Sequence, residues 1–315
     1  MTDHQPCRTT LRPPPRLRAG DRVALLTPSS PSNLERIEEG IDVLRFCGLE
    51  PVELPSARAR ASRHDYLAGT DVERADDLRA ALLDDSIAGV LTVGGGYGSQ
   101  RMLEVMDWSG LDQVQPKVVV GYSDVTGLLE ALASRLGWRS VMGPMVSEGE
   151  FRESYSFSSL WRCLAHPERF DRLEFRGART VAGGVAEGVS AGGNLSLLTG
   201  SVGTTTSWNP PGAVVLVEDE NEDAARTDIM LTHLRRAGYF SQAAAVVAGT
   251  FTNAGDSSTE QMQAMLDDRL GDLGIPVIAQ ANLGHGGHVQ TWPIGVPMRV
   301  DADSCVVTLL EQPLT

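Results

Sequence analysis

Four short segments of this 315-residue chain carry side chains that could do covalent chemistry, and each sits where an apolar run gives way to a turn. In Val118-Val119-Val120-Gly121-Tyr122-Ser123-Asp124-Val125 an apolar strand meets a helix with almost no loop, and Ser123 stands at the corner. A hydroxyl so placed lies above the sheet at the positive end of the following helix, where the N–H of Asp124 can help hold an oxyanion. The same residues would also serve to cap the helix, and the GxSxG pattern is absent. The second segment, Gly94-Gly95-Gly96-Tyr97-Gly98-Ser99, follows the apolar Val90-Leu91-Thr92-Val93. Its N–H groups can face an oxyanion or a nucleotide phosphate, although it has neither the Lys-Ser/Thr of a P-loop nor the dinucleotide spacing.

The third segment opens on Glu218, which follows the apolar Val214–Val217 and could orient a histidine. The acids after it, Asp219, Glu220, Glu222 and Asp223, suit the N-terminus of a helix. The fourth, Leu283-Gly284-His285-Gly286-Gly287-His288, can deliver an imidazole as general base. Two histidines with no third ligand nearby, and no HExxH, make a poor zinc site. Together a Ser, a Glu, a His and two sources of N–H donors suit acyl transfer to a serine.

Positioning these groups requires a layered scaffold. Val23–Thr27 reads as a buried strand, and Leu34, Ile37, Ile41, Leu44 and Cys47 mark one face of a helix over 33–47 that Gly48 ends. A strand over Leu49–Leu54, a helix over 71–83 with Asp71 as N-cap, strands at 90–93 and Lys117–Gly121, and a helix over Val125–Leu136 continue the alternation. Such alternation predicts a parallel sheet covered by helices, with ligands at the carboxyl ends of its strands. Beyond about residue 145 the pattern changes. A helix is indicated near Leu160–Leu164. Strands follow at Val214–Val217, Ala244–Gly249, Val277–Ala279 and Cys305–Leu310, with helices over 226–236 and 259–270. The fold class is therefore α/β, with an extended arm over 1–18, a parallel-sheet domain over 19–170 and a second, smaller strand-rich α/β domain over 171–315. Ser123 falls on one side of that division and Glu218 and His285 on the other, so the site is expected at the junction.

Composition narrows the function classes. Forty-one Asp and Glu against 27 Lys and Arg give a formal charge of −14, which argues against a general nucleic-acid binder. No run approaches 18 apolar residues, so no membrane span is expected, and the Arg- and Pro-containing start has no apolar core of a secretory signal. Cys7, Cys47, Cys163 and Cys305 lie far apart without a CxxC pair, which reads as reduced thiols in a cytoplasmic protein.

Over about residues 18–312 the sequence resembles the LD-carboxypeptidase family of serine peptidases. The resemblance rests on Gly20-Asp21-Arg22-Val23 with Pro28-Ser29-Ser30-Pro31, and on Leu67-Ala68-Gly69-Thr70-Asp71 with Arg74. It continues through Gly95-Gly96-Tyr97-Gly98-Ser99, Gly121-Tyr122-Ser123-Asp124 and Gly192-Gly193-Asn194-Leu195-Ser196-Leu197. It ends on Glu218-Asp219 with Glu222, Arg226 and Asp228, and on Gly284-His285-Gly286. The resemblance implies a Ser123–His285–Glu218 triad, and an oxyanion hole from the N–H groups of Asp124 and Gly96. It further implies a small peptide substrate, no metal or organic cofactor, and a homodimer. Gly95, Tyr97, Asn194 and Trp292 are the substrate-binding candidates. Departures from the family pattern fall at Gly94, Asn221, Ala225 and Trp292. Family members trim the terminal D-alanine from murein tetrapeptides, and a branch hydrolyses microcin C-type peptide–nucleotides. On the second substrate Trp292 would stack on the base. A reading of another class, a nucleotide- or metabolite-binding module using the triple-glycine loop, predicts indifference to replacing His285.

Overall fold

The structure is a computed structural model that describes residues 8–60 and 64–315; Cys7 and the first part of the N-terminal arm lie outside the described residues. Its first sheet has six strands. Five are parallel, in the order β5 (Ser140–Met142), β4 (Val118–Gly121), β3 (Ile87–Thr92), β1 (Arg22–Leu26), β2 (Glu50–Glu53). β1, β3 and β4 are apolar because both faces are covered, and nearly every residue in them is buried.

The helices follow from their end signals. In α1 (Leu34–Phe46) the Asn33 side chain accepts from the N–H groups of Glu35 and Arg36, and Ile37, Gly40, Ile41 and Leu44 form the buried face. In α2 (Asp71–Leu83) the N-cap is Thr70 rather than Asp71, in a reciprocal capping box with Glu73. Asp71 is instead used as a counter-ion for Arg74 and Arg101. α3 spans Ser99–Val105, and α4 (Thr126–Ala131) runs on into a π-helical turn over Leu132–Leu136. The helix indicated near Leu160 is longer, α5 (Ser154–Ala165), because Glu153 caps its start.

The second sheet has eight strands. At its centre four parallel strands run β8 (Val185–Asn194), β9 (Ala213–Glu220), β10 (Ala245–Thr252), β11 (Val277–Ala279). β7 (Arg179–Ala182) pairs antiparallel with β11, and β13 (Pro297–Asp301), β14 (Val306–Leu309) and β6 (Arg172–Glu174) extend the other edge antiparallel. Helices α6 (Leu195–Ser201), α7 (Ala224–Arg236) and α8 (Thr259–Leu270) follow β8, β9 and β10.

The chain then returns to the first sheet. β12 (Trp292–Ile294) pairs antiparallel with β5, so a single cut near residue 170 does not separate the two sheets. The described part of the arm, residues 8–18, is anchored: Leu11 and Leu17 are buried, and Arg12 bridges to Trp138. No helix among the described residues is long and apolar enough to cross a membrane.

Candidate active site

The carboxyl ends of β4 and β9 meet over one open cleft of about 600 Å³. Ser123 enters it from a corner as tight as its sequence implies, with a left-handed backbone (φ +58). A non-glycine residue there is strained, and the strain is held by what surrounds it. A Cβ on Gly121 would lie 2.5 Å from Val125 and 2.6 Å from Thr92 Oγ1, so only glycine lets the strand pass so close beneath the turn. Asp124 is buried. Its Oδ2 accepts from Ser29 Oγ at 2.6 Å and from the Ser99 N–H at 2.8 Å, and its own backbone carbonyl accepts from Ser99 Oγ. Burial pushes its pKa up, against the pull of those hydrogen bonds. Asp124 thus ties the corner to the loop after β1 and to the start of α3.

The triple-glycine loop lies across the corner. Gly95 faces Ser123, since a Cβ built there would stand 3.3 Å from Ser123 Cβ, and Gly96 takes φ +105 against the Ser30 side chain. Ser30 Oγ donates to the Tyr66 carbonyl at 2.7 Å and accepts the Tyr97 N–H at 3.1 Å. Arg74, fully buried, donates to the Pro28 carbonyl and, at 2.8 Å, to that of Gly98, bracing the loop from below.

From the second sheet come Glu218 and His285. Glu218 has no exposed surface, and its Oε2 lies 2.7 Å from His285 Nδ1 and accepts the His285 backbone N–H at 3.3 Å. Gly284, at φ +96, makes this possible: a Cβ there would be 2.2 Å from Glu218 Oε2. Asn194 Nδ2 donates to Asp219 Oδ1 at 3.0 Å and to Glu218 Oε1 at 3.4 Å. Asp219 points the other way, accepting from the Ser196 N–H and hydroxyl at the start of α6. Burial disfavours charge on the His285 ring, but the hydrogen bond and charge of Glu218, with Glu220 and Asp219, outweigh it and raise the pKa above the ordinary imidazole value. The Tyr122 ring packs on His285 at 4.9 Å between centroids.

Ser123, Asp124, Gly95, Gly96, Tyr97, Asn194 and His285 all line the cleft, with Glu218 directly beneath the imidazole. No hydrogen bond joins Ser123 to His285 among the described residues, and His285 Nε2 lies 3.6 Å from Glu220 Oε2. Trp292 does not reach the cleft. It is fully buried in β12 and its ring has no face free for a base, which corrects the expectation that it stacks on substrate. The second histidine of the loop, His288, is turned away to Glu153 at 3.2 Å. Reading from sequence missed Arg36, Glu148 and Glu220 on the cleft wall. Glu220 alone carried a signal, standing two residues after Glu218 and so on the same side of a strand.

Comparison with known proteins gives a consistent picture. The model of the LD-carboxypeptidase N-terminal domain matches residues 23–143 and that of the C-terminal domain matches 187–300. A protein of Streptomyces coelicolor named as an inferred carboxypeptidase is 39% identical over 297 residues, covering 94% of this chain and 95% of its own. The murein tetrapeptide carboxypeptidase of Pseudomonas aeruginosa is 27% identical over 286 residues, covering 87% and 91%. The microcin C7 self-immunity protein MccF of Escherichia coli is 25% identical over 337 residues, covering 95% and 96%. A structure of MccF in complex with glutamyl sulfamoyl guanosine superposes with a TM-score of 0.84 at 22% identity, covering 96% of this chain and 99% of its own, which establishes likeness of fold.

Proposed function

Since this chain belongs to the LD-carboxypeptidase family and is a peptidase of that family, we propose that it is a serine carboxypeptidase that cleaves the amide between an L-centre and a terminal D-amino acid in a murein-derived peptide. The observation that carries the reading is the buried Glu218–His285 pair at 2.7 Å, in one cleft with a serine held at φ +58. Ser123 Oγ attacks the scissile carbonyl carbon as His285 Nε2 takes its proton. The N–H groups of Asp124 and Gly96 receive the oxyanion, and Glu218 holds Nδ1–H and stabilises the imidazolium. The imidazolium then gives its proton to the leaving amine of the D-amino acid. Water, deprotonated by His285, attacks the acyl ester and restores the Ser123 hydroxyl.

Arg36, near the start of α1, is the only Lys or Arg lining the cleft among the described residues, and we assign it the terminal carboxylate of the peptide. This supplies locally what the −14 net charge does not. The same reading implies a homodimer working in the cytoplasm, which sedimentation and cell fractionation address. The decisive experiment is Ser123→Ala assayed for D-alanine release from a murein tetrapeptide. The expected loss is at least about a thousandfold in kcat/KM, and near wild-type release would end the proposal.

A further inference from the structure

β9 continues past Glu218 for two residues, and strand alternation puts Glu220 on the same side as Glu218 with Asp219 between them facing α6. The His285 imidazole therefore stands between two carboxylates. Glu218 Oε2 holds Nδ1 at 2.7 Å, and Glu220 Oε2 lies 3.6 Å from Nε2, the nitrogen that must take the serine proton. Glu220 is not a loose surface acid. Its Oε1 accepts from Asn253 Nδ2 at 2.9 Å, and its backbone is paired with Thr252 on β10, next to Asn253 in a left-handed conformation (φ +51). That contact turns Oε2 toward the histidine.

We propose that Glu220 is a positioning residue for His285, pairing with the protonated Nε2 in the resting enzyme and keeping the ring off Ser123 until that proton is lost. The inference rests on His285 being the proton carrier of the reaction. The two states differ by one proton. With Nε2–H present, the ring is an imidazolium attracted to carboxylates on both sides. When that proton leaves to solvent, the Nε2 lone pair faces the Glu220 carboxylate, an acceptor against an acceptor, and the ring is free to accept the Ser123 hydroxyl instead. The other groups facing the ring are Glu218 on β9, the Tyr122 ring, and Glu148 beyond β5, which Glu150 and Arg36 flank with opposite charges; Asp219, turned toward α6, acts on the ring only through its charge. Of the carboxylates among the described residues, only Glu218 and Glu220 contact the imidazole nitrogens.

The test is the titration of His285 by NMR in the full chain with isotope-labelled histidine, comparing wild type with Glu220→Gln. An opposite charge within ~4–6 Å shifts a pKa by about 1–3 units. Glu220 is one-third exposed, so the lower end applies and His285 should titrate about one unit lower in the variant. The acid limb of kcat/KM should move down with it, a readout that a merely structural role would not shift. A downward shift of more than about 0.3 unit supports the proposal; a smaller one, or a shift upward, overturns it. If Glu220→Gln does not fold, Asn253→Ala, which frees the Glu220 side chain, carries the same two outcomes. Because the titration needs no substrate, retained D-alanine release by Ser123→Ala would end the serine-nucleophile reading and leave this measurement standing, and the converse also holds.

Discussion

Gly284→Ala is the sharpest test of the Glu218–His285 geometry, because it touches neither functional group. The added Cβ would fall 2.2 Å from Glu218 Oε2 and 2.6 Å from its carboxyl carbon, at a backbone φ of +96 that alanine resists. Ordinary contact begins near 3.4 Å, so the carboxylate and the loop must part by roughly 1 Å. The carboxylate has little room to yield, since it is fully buried with Asn194 on its other oxygen. A 2.7 Å contact opened by that amount is no longer a hydrogen bond. Hydrogen bonds to charged groups contribute about 1.5–3 kcal/mol, which at 1.36 kcal/mol per decade is roughly 10- to 150-fold. The expected result is a fall in kcat/KM for D-alanine release by about a hundredfold, mostly in kcat, with His285 titrating closer to an ordinary imidazole. Circular dichroism would verify the fold. A folded Gly284→Ala protein with wild-type kcat/KM and an unchanged His285 titration would refute the reasoning.

Other expected outcomes follow from single features. Glu130 on α4 is fully buried, and burial raises its pKa to about 8 although Ser201 and the Trp208 N–H oppose the shift. The unfolded chain therefore loses this proton first, and stability drains away as pH rises from the ordinary carboxyl value of 4.5 toward 8. Glu130→Gln, which mimics the protonated form, should match wild type near pH 4 and exceed it at pH 9 by up to about 5 kcal/mol in chemical denaturation; parallel curves would exclude this. Gly121→Ala drives a methyl into Val125 and Thr92, and overpacking of about 1–3 kcal/mol should lower Tm by roughly 5 °C together with activity. Arg36→Ala should raise KM for the peptide about tenfold with kcat little changed, since it removes a charge-assisted contact made equally in ground and transition states; an unchanged KM would free the terminal carboxylate from this assignment.

How much of this was legible in the sequence depended on whether a residue's partners were local. The face of α1, the ending at Gly48 and the helix over Thr259–Leu270 are set by neighbours within a few residues, and their patterns were visible. β8 was not. Its run Val185–Asn194 holds three glycines, and two of them are demanded by distant backbone: a Cβ on Gly188 would meet the Gly212 carbonyl at 2.1 Å, and one on Gly192 the Leu216 carbonyl at 2.0 Å. β12 was invisible for the same reason, because its partner β5 lies about 150 residues away. β9 was read as ending at Val217, since acids weaken an apolar pattern. It continues because the carboxyl end of a parallel strand opens on the cleft, where polar side chains belong. That shortened reading placed Glu218 at a strand end and left Glu220 among the acids ahead of the next helix, hiding their shared side.

The helix that follows Ser123 explains how groups from two sheets can be held to hydrogen-bond tolerance. Thr126, Glu130 and Ser134 are spaced by four and so share one face of α4 and its π-helical continuation. Each is bonded to the second half of the chain: Thr126 Oγ1 accepts the Asn194 N–H at 3.1 Å, Glu130 accepts the Trp208 N–H at 3.2 Å, and Ser134 Oγ donates to the Thr206 carbonyl at 3.1 Å. Gly193 packs so closely on Thr126 that a Cβ would sit 2.8 Å from it, and β12 adds a strand from the same half to the first sheet. A hinge opening between the sheets would break all of these at once, and would leave the buried Glu130 carboxyl without the Trp208 N–H. Adjustment during turnover is therefore assigned to side chains and loops at the cleft, above all to the imidazole between Glu218 and Glu220. The costly burial of Glu130 has a rationale in the same contact: it anchors the middle of the face that fixes Ser123 relative to His285.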